Sequence, residues 1–185
     1  MPLTGRFQSS LWRQEVASGF VVAAVTSSII QAGRQDHPER ICKLAKEIEV
    51  QASLQGPMQF SVSSATGHTI TLDVPASEGG EDSAPTPMEL LLMSLAGCTG
   101  MDVISILRKQ RQEVTKYEVT VHGTRADTHP RVYVEVTVKH VVTGHHLDPQ
   151  AVSRAIELSS SKYCSVSQTV ARTANITTSF EVLEA

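Results

Sequence analysis

Two of the three cysteines stand in contexts able to carry thiol chemistry. Cys98 lies in Leu95-Ala96-Gly97-Cys98-Thr99-Gly100-Met101-Asp102, among apolar and very small residues on a run that reads as buried helix. Gly97 and Gly100 would let another backbone or a ligand approach the sulfur closely. On that helix Leu91, Ser94, Leu95, Asp102 and Ser105 share the face of Cys98, an apolar wall with one carboxylate four residues on. A buried carboxylate beside a thiol raises the thiol pKa unless a positive charge intervenes. Cys164 follows Lys162 in Ser161-Lys162-Tyr163-Cys164-Ser165-Val166, where one helix stops and another can start. A helix N-terminus and a nearby ammonium both favour thiolate. Each cysteine also has a plain structural reading: a small core residue at a tight helix crossing for Cys98, a capping residue for Cys164. The pair is 66 residues apart (164 minus 98), so only the fold can bring them within bridging distance. Cys42 has no supporting context.

Other chemistries find little support. His145 and His146 are adjacent and point apart on a strand, a poor arrangement for co-ligands, and neither Cys-x-x-Cys nor His-x-x-x-His spacing occurs. No glycine-rich phosphate loop follows a strand, so neither metal nor cofactor is expected. A net charge of -3 argues against a nucleic-acid-binding face. Three cysteines are too few for a secreted disulfide scaffold, and a reducing, cytoplasmic compartment fits better.

The elements that must position the cysteines follow from hydrophobic period and capping signals. The 185 residues suffice for one domain with a core of Val, Leu, Ile and Ala, since aromatics make up only 4%. Residues 1–40 read as an N-terminal extension ending in the polar, proline-marked Gln35–Arg40. Its apolar stretch Gly19–Ile30 is too short and interrupted for a membrane span. A helix packing on the domain is the preferred reading, beside a signal peptide or a tail from a misplaced start codon. Residues 41–185 form the domain. Period-two alternation marks three strands around Ile48–Leu54, Phe60–Val62 and Ile70–Val74, a meander. Thr86, Pro87 and Glu89 supply the N-cap, first position and capping box of a helix running to about Gln110. That helix is apolar nearly all round and about 37 Å long, more than one small domain encloses, so burial alone predicts a homodimer. Two alternating strands follow, over Tyr117–Val121 and Val132–Val138, the latter with Val132, Val134, Val136 and Val138 on one face. Asp148-Pro149 opens a second helix with Val152, Ala155, Ile156 and Ser159 on one face, a short helix starts near Cys164, and Ile176–Val182 closes the chain as a strand. The class is α+β.

At its cysteine motifs the chain resembles the OsmC/Ohr superfamily of thiol-dependent peroxidases. The resemblance is carried by Pro87–Leu92, by Ala96-Gly97-Cys98-Thr99-Gly100-Met101-Asp102-Val103, and by Arg154–Ser159 with Lys162–Val166. Thr124-Arg125-Ala126 and His129-Pro130 add to it, and the match spans roughly residue 45 to the C-terminus. It is nearest to the OsmC-like branch of poorly defined substrate. The resemblance implies antiparallel sheets around long central helices in an intertwined homodimer, with active sites built from both chains. It implies a cycle in which the Cys98 thiolate attacks an organic hydroperoxide, the sulfenic acid condenses with Cys164, and an external dithiol, lipoyl groups in the family, reduces the disulfide. Characterised members place a glutamate ten residues before the first cysteine, where this chain has Met88 with Glu89 one step later. They also use an arginine from the N-terminal strands, whereas no arginine occurs here between Ile41 and Leu107, and only Arg40 and the extension lie upstream of that gap.

Three readings of function therefore stand. The first is a two-cysteine hydroperoxide reductase with Cys98 and Cys164 catalytic. The second is a non-catalytic protein of the same fold that binds an apolar small molecule between subunits. The third, a cysteine hydrolase or acyl-transferase, needs His122, His129 or His140 at the Cys98 sulfur.

Overall fold

Alternating short strands near the N-terminus and one long capped helix set the architecture. The computed structural model describes residues 47–185; the extension, Arg40 and Cys42 lie outside the described residues. Strands β1 (Val50–Leu54), β2 (Phe60–Ser64) and β3 (Thr69–Leu72) form the expected antiparallel meander in the order β1-β2-β3. Helix α1 (Pro87–Lys109) follows, then β4 (Glu113–Arg125), β5 (Tyr133–His145), α2 (Pro149–Leu158), α3 (Ser165–Val170) and β6 (Asn175–Glu184).

Helix α1 starts where its capping signals put it. Thr86 accepts the Glu89 backbone N–H, and the Glu89 carboxylate accepts the Thr86 backbone N–H at 2.7 Å, a reciprocal pair that satisfies two orphan donors. The helix lies against β4, α2 and α3. Leu95, Val103 and Leu107 are buried on it, and β5 presents Val136, Val138, His140 and Val142 to the same core. Burying each Leu or Val contributes roughly 1.5–3 kcal/mol, so this one stripe fixes the helix on the sheet. By length and composition α1 also resembles a membrane span, yet its buried residues belong to this core.

Four details depart from the sequence expectation. β5 and β6 pair in parallel (Val136 beside Ile176, Val142 beside Val182), because α2 and α3 carry the chain back across the sheet before β6 begins. The ladder between β4 and β5 shifts register at Thr124/Arg125, leaving Val134 the extra residue between Tyr133 and Glu135. Val134 is consequently exposed while Tyr133 and Val136 are buried, so Val134 does not share the face of Val136 and Val138. Between α2 and α3 the chain makes a turn of π-helix, Ser159–Tyr163. The loop before α1 is wrapped around buried Asp73, whose carboxylate accepts the backbone N–H of Val74, Glu81 and Ser83 and the Ser83 hydroxyl.

Much apolar surface is exposed among the described residues. Ile48, Val50, Leu54 and Ile70 of the small sheet and its approach are exposed, as are Met93 and Met101 on α1. An added Cβ at Gly97 would meet nothing within 4 Å, and at Gly100 only Val119 Cγ2 at 3.6 Å. The small residues beside Cys98 are therefore not required by packing within the described chain.

Candidate functional site

The middle of α1 and the break between α2 and α3 meet at the cysteines. Cys98 sits in the centre of α1, half-buried against a cluster that contains Leu95, Tyr133, Val136, Val138 and Cys164. Cys164 is fully buried and is the N-cap of α3, its Sγ accepting the Ser167 backbone N–H at 3.3 Å. Its own backbone N–H donates to the Ser159 carbonyl at 2.8 Å. The π turn thus swings Cys164 inward from the end of α2, an irregularity of the kind that often marks function.

The two sulfurs and a carboxylate oxygen of Asp102 all lie within 4.8 Å of one another, and both cysteines are free thiols. The Ser159 hydroxyl donates to Asp102 Oδ2 at 3.2 Å and shares a hydrogen bond with Thr99 Oγ1 at 3.1 Å. Thr99 and Ser159 are buried. Asp102 is the fourth residue after Cys98 on α1, so helix geometry puts both on one face, and Thr99 turns toward the π turn beside them. Two thiolates and a carboxylate are also donor types that zinc accepts.

Burial pushes the Cys164 thiol up to about 12, with contact to Cys98 and the Asp102 charge adding to the rise and the Ser167 N–H opposing it. This corrects the expectation that a helix N-terminus and Lys162 would favour thiolate at Cys164. The N-terminal N–H is present, but desolvation outweighs it, and the Lys162 ammonium lies instead over the Tyr163 ring, 5.5 Å from its centroid. The capping reading of Cys164 describes its place correctly.

Glu89 is engaged in the cap of α1, and its hydrogen bonds from Thr86 hold its carboxyl below the usual range. Among the described residues no arginine lies on β1–β3. The histidines are otherwise placed: His140 Nδ1 is 2.7 Å from the Tyr117 hydroxyl, His122 is exposed on β4 and His129 on the following turn. Among the described residues, no histidine is hydrogen-bonded to Cys98, a contact the hydrolase reading requires. Asp102 was visible in the sequence from its spacing to Cys98; Thr99 and Ser159 were not recognisable as its partners, because their meeting depends on the π turn.

Two cavities beside α1 have no cysteine in their walls. One, about 740 Å³, runs between the Asp82–Pro85 loop, Leu92, Met93 and Ala96 of α1, and Val119 and Val121 of β4. The other, about 410 Å³, is bounded by Asp102, Ile106, Lys109, Leu158 and Tyr163, so Asp102 borders open space.

A pair of thiols on an α+β scaffold, one at the centre of a long helix and one at a helix cap, defines a class of thiol protein. The chain belongs to the OsmC family: the family model for OsmC-like protein matches residues 80–179. Protein YhfA of Escherichia coli K12 is 42% identical over 128 residues, covering 69% of this chain and 92% of that protein. A crystal structure of a hypothetical protein from Aquifex aeolicus VF5 is 35% identical with a TM-score of 0.68, covering 76% of this chain and 99% of that one. An organic hydroperoxide resistance protein, OsmC, from Legionella pneumophila has the same fold at 18% identity, with a TM-score of 0.59 over 76% of this chain and 100% of that one.

Proposed function

We propose that this chain reduces organic hydroperoxides through its two cysteines, as a cytoplasmic homodimer recharged by a dithiol such as a lipoyl group. The observation that carries the reading is the meeting of Cys98 and Cys164, 66 residues apart in sequence (164 minus 98), with sulfurs within 4.8 Å. A sulfur-to-sulfur approach of this kind lets a sulfenic acid on one be captured by the other before further oxidation. Cys98, half-buried, is the peroxidatic residue; Cys164, fully buried, is the resolving one. The name carried by the Legionella protein supports hydroperoxide as the substrate class.

In the first step the Cys98 sulfur attacks the terminal peroxide oxygen, the O–O bond breaks, and alcohol leaves with a proton. In the second, Cys164 displaces the oxygen from the Cys98 sulfenic acid as water. A dithiol then takes up the oxidising equivalents by exchange. The test is hydroperoxide-dependent oxidation of dihydrolipoamide, which Cys98→Ser abolishes; equal turnover in Cys98→Ser and the parent protein overturns the reading.

A second reading is favoured by the groove of about 740 Å³ beside α1, lined by Leu92, Met93, Ala96, Val119 and Val121. An apolar small molecule seated there, at a face open to a second copy of the chain, makes the protein a binder rather than an enzyme. Saturable binding of an apolar ligand, with no hydroperoxide turnover, selects it.

A further inference from the structure

Closing a disulfide requires a sulfur nucleophile, and Cys164 keeps its proton across neutral pH. Some group beside it must take that proton at the moment of attack. The surroundings of Cys164 are mostly hydrocarbon: Leu95, Tyr133, Val136, Val138, Val170 and Ala174. Tyr133 is itself a donor, its hydroxyl bound to the Met88 carbonyl at 2.9 Å. Asp102 is different: it brings an ionisable oxygen within 4.8 Å of both sulfurs. Ser159 ties it to Cys164: its hydroxyl donates to Asp102 Oδ2, and its carbonyl accepts the Cys164 backbone N–H. One residue thereby holds both the carboxylate and the cysteine in register.

We propose that Asp102 is the base of the resolving step, taking the Cys164 thiol proton, directly or through one water, as that sulfur attacks the Cys98 sulfenic acid. The proton then passes to the departing oxygen. The Cys164 S–H and Cys98 S–O bonds break, and the S–S bond and one O–H bond of water form. The oxidising equivalent carried by the Cys98 sulfenic acid ends shared in the disulfide, so the step needs no further oxidant. Ser159 is the positioning residue, and Asp102 occupies the role for which Glu89, tied up in the cap, is unavailable. The proposal rests on the peroxidase reading only for the origin of the sulfenic acid; attack by Cys164 on any electrophilic sulfur at Cys98 makes the same demand.

The test exploits that independence. In a Cys42→Ser background, Cys98 is converted by dithionitrobenzoate to a mixed disulfide, and release of the second thionitrobenzoate reports intramolecular attack by Cys164. Cys164→Ser shows no second release. Asp102→Asn, nearly isosteric, is expected to form the mixed disulfide at least as fast as the parent, because a negative charge beside the Cys98 sulfur is removed, and to slow the second release on the order of 100-fold, the usual worth of a positioned base. Ser159→Ala, which keeps the carboxylate but frees it, is expected to fall between. Second release from Asp102→Asn at the parent rate overturns the proposal. Failure of hydroperoxide to oxidise Cys98 would overturn the peroxidase reading alone, since no peroxide enters this experiment.

Discussion

Burial pushes the Cys164 thiol up to about 12, so in the proposed cycle it stays protonated until Cys98 carries an electrophilic sulfur. Cys98 and Cys164 are legible in the sequence as the residues to watch, and Asp102 as a neighbour of Cys98. The protonation of Cys164 is not, because the local signals, a helix N-terminus and a lysine, point the other way and only the tertiary core supplies the desolvation that outweighs them. A second buried titratable group was equally hidden. His140 is 1% exposed and paired with Tyr117, and burial lowers it to about 4 from an ordinary 6.5. The folded state thus holds the ring neutral while the unfolded chain takes up a proton below about pH 6.5, so stability rises with pH through this window. Thermal unfolding followed by circular dichroism is expected to show the melting temperature falling by several °C as pH drops from about 6.5 toward 4. The fall is expected to be smaller in His140→Gln once its own lower starting stability is subtracted.

At the scale of the element, α1 is where the sequence spoke most clearly. Thr86, Pro87 and Glu89 gave its start, and the apolar run through Leu107 gave its extent, because capping and helical period are local properties. The π turn and the parallel β6 were silent, since both depend on how α2 and α3 pack rather than on the residues within them. The engagement of Glu89 in the cap separates two roles for it. Glu89→Ala is expected to cost about 1 kcal/mol of stability in urea unfolding, as loss of a helix cap does, and to leave hydroperoxide turnover near the parent value. A loss of turnover of 100-fold or more with stability intact would assign Glu89 to the chemistry instead.

For the whole molecule, the three-stranded sheet and α1 together expose Val50, Leu54, Ile70, Met93 and Met101, more apolar surface than an isolated chain of this size comfortably shows water. Small residues at Gly97 and Gly100 have room above them. A second copy would cover both features, in line with the dimer that the length and apolarity of α1 in the sequence lead one to expect. Light scattering on the eluting protein is expected to give twice the chain mass, and Met101→Lys, a charge set on that open face, is expected to shift the population toward monomer; a monomeric parent protein would contradict this assembly. Whether the two thiols are one redox pair is decided by peptide mapping with mass spectrometry after a single equivalent of cumene hydroperoxide under non-reducing conditions. A linked peptide pair containing Cys98 and Cys164 is expected, lighter by the two thiol hydrogens and released by a dithiol. Over-oxidised Cys98 with Cys164 still a free thiol, or no change at either residue, would contradict the pairing.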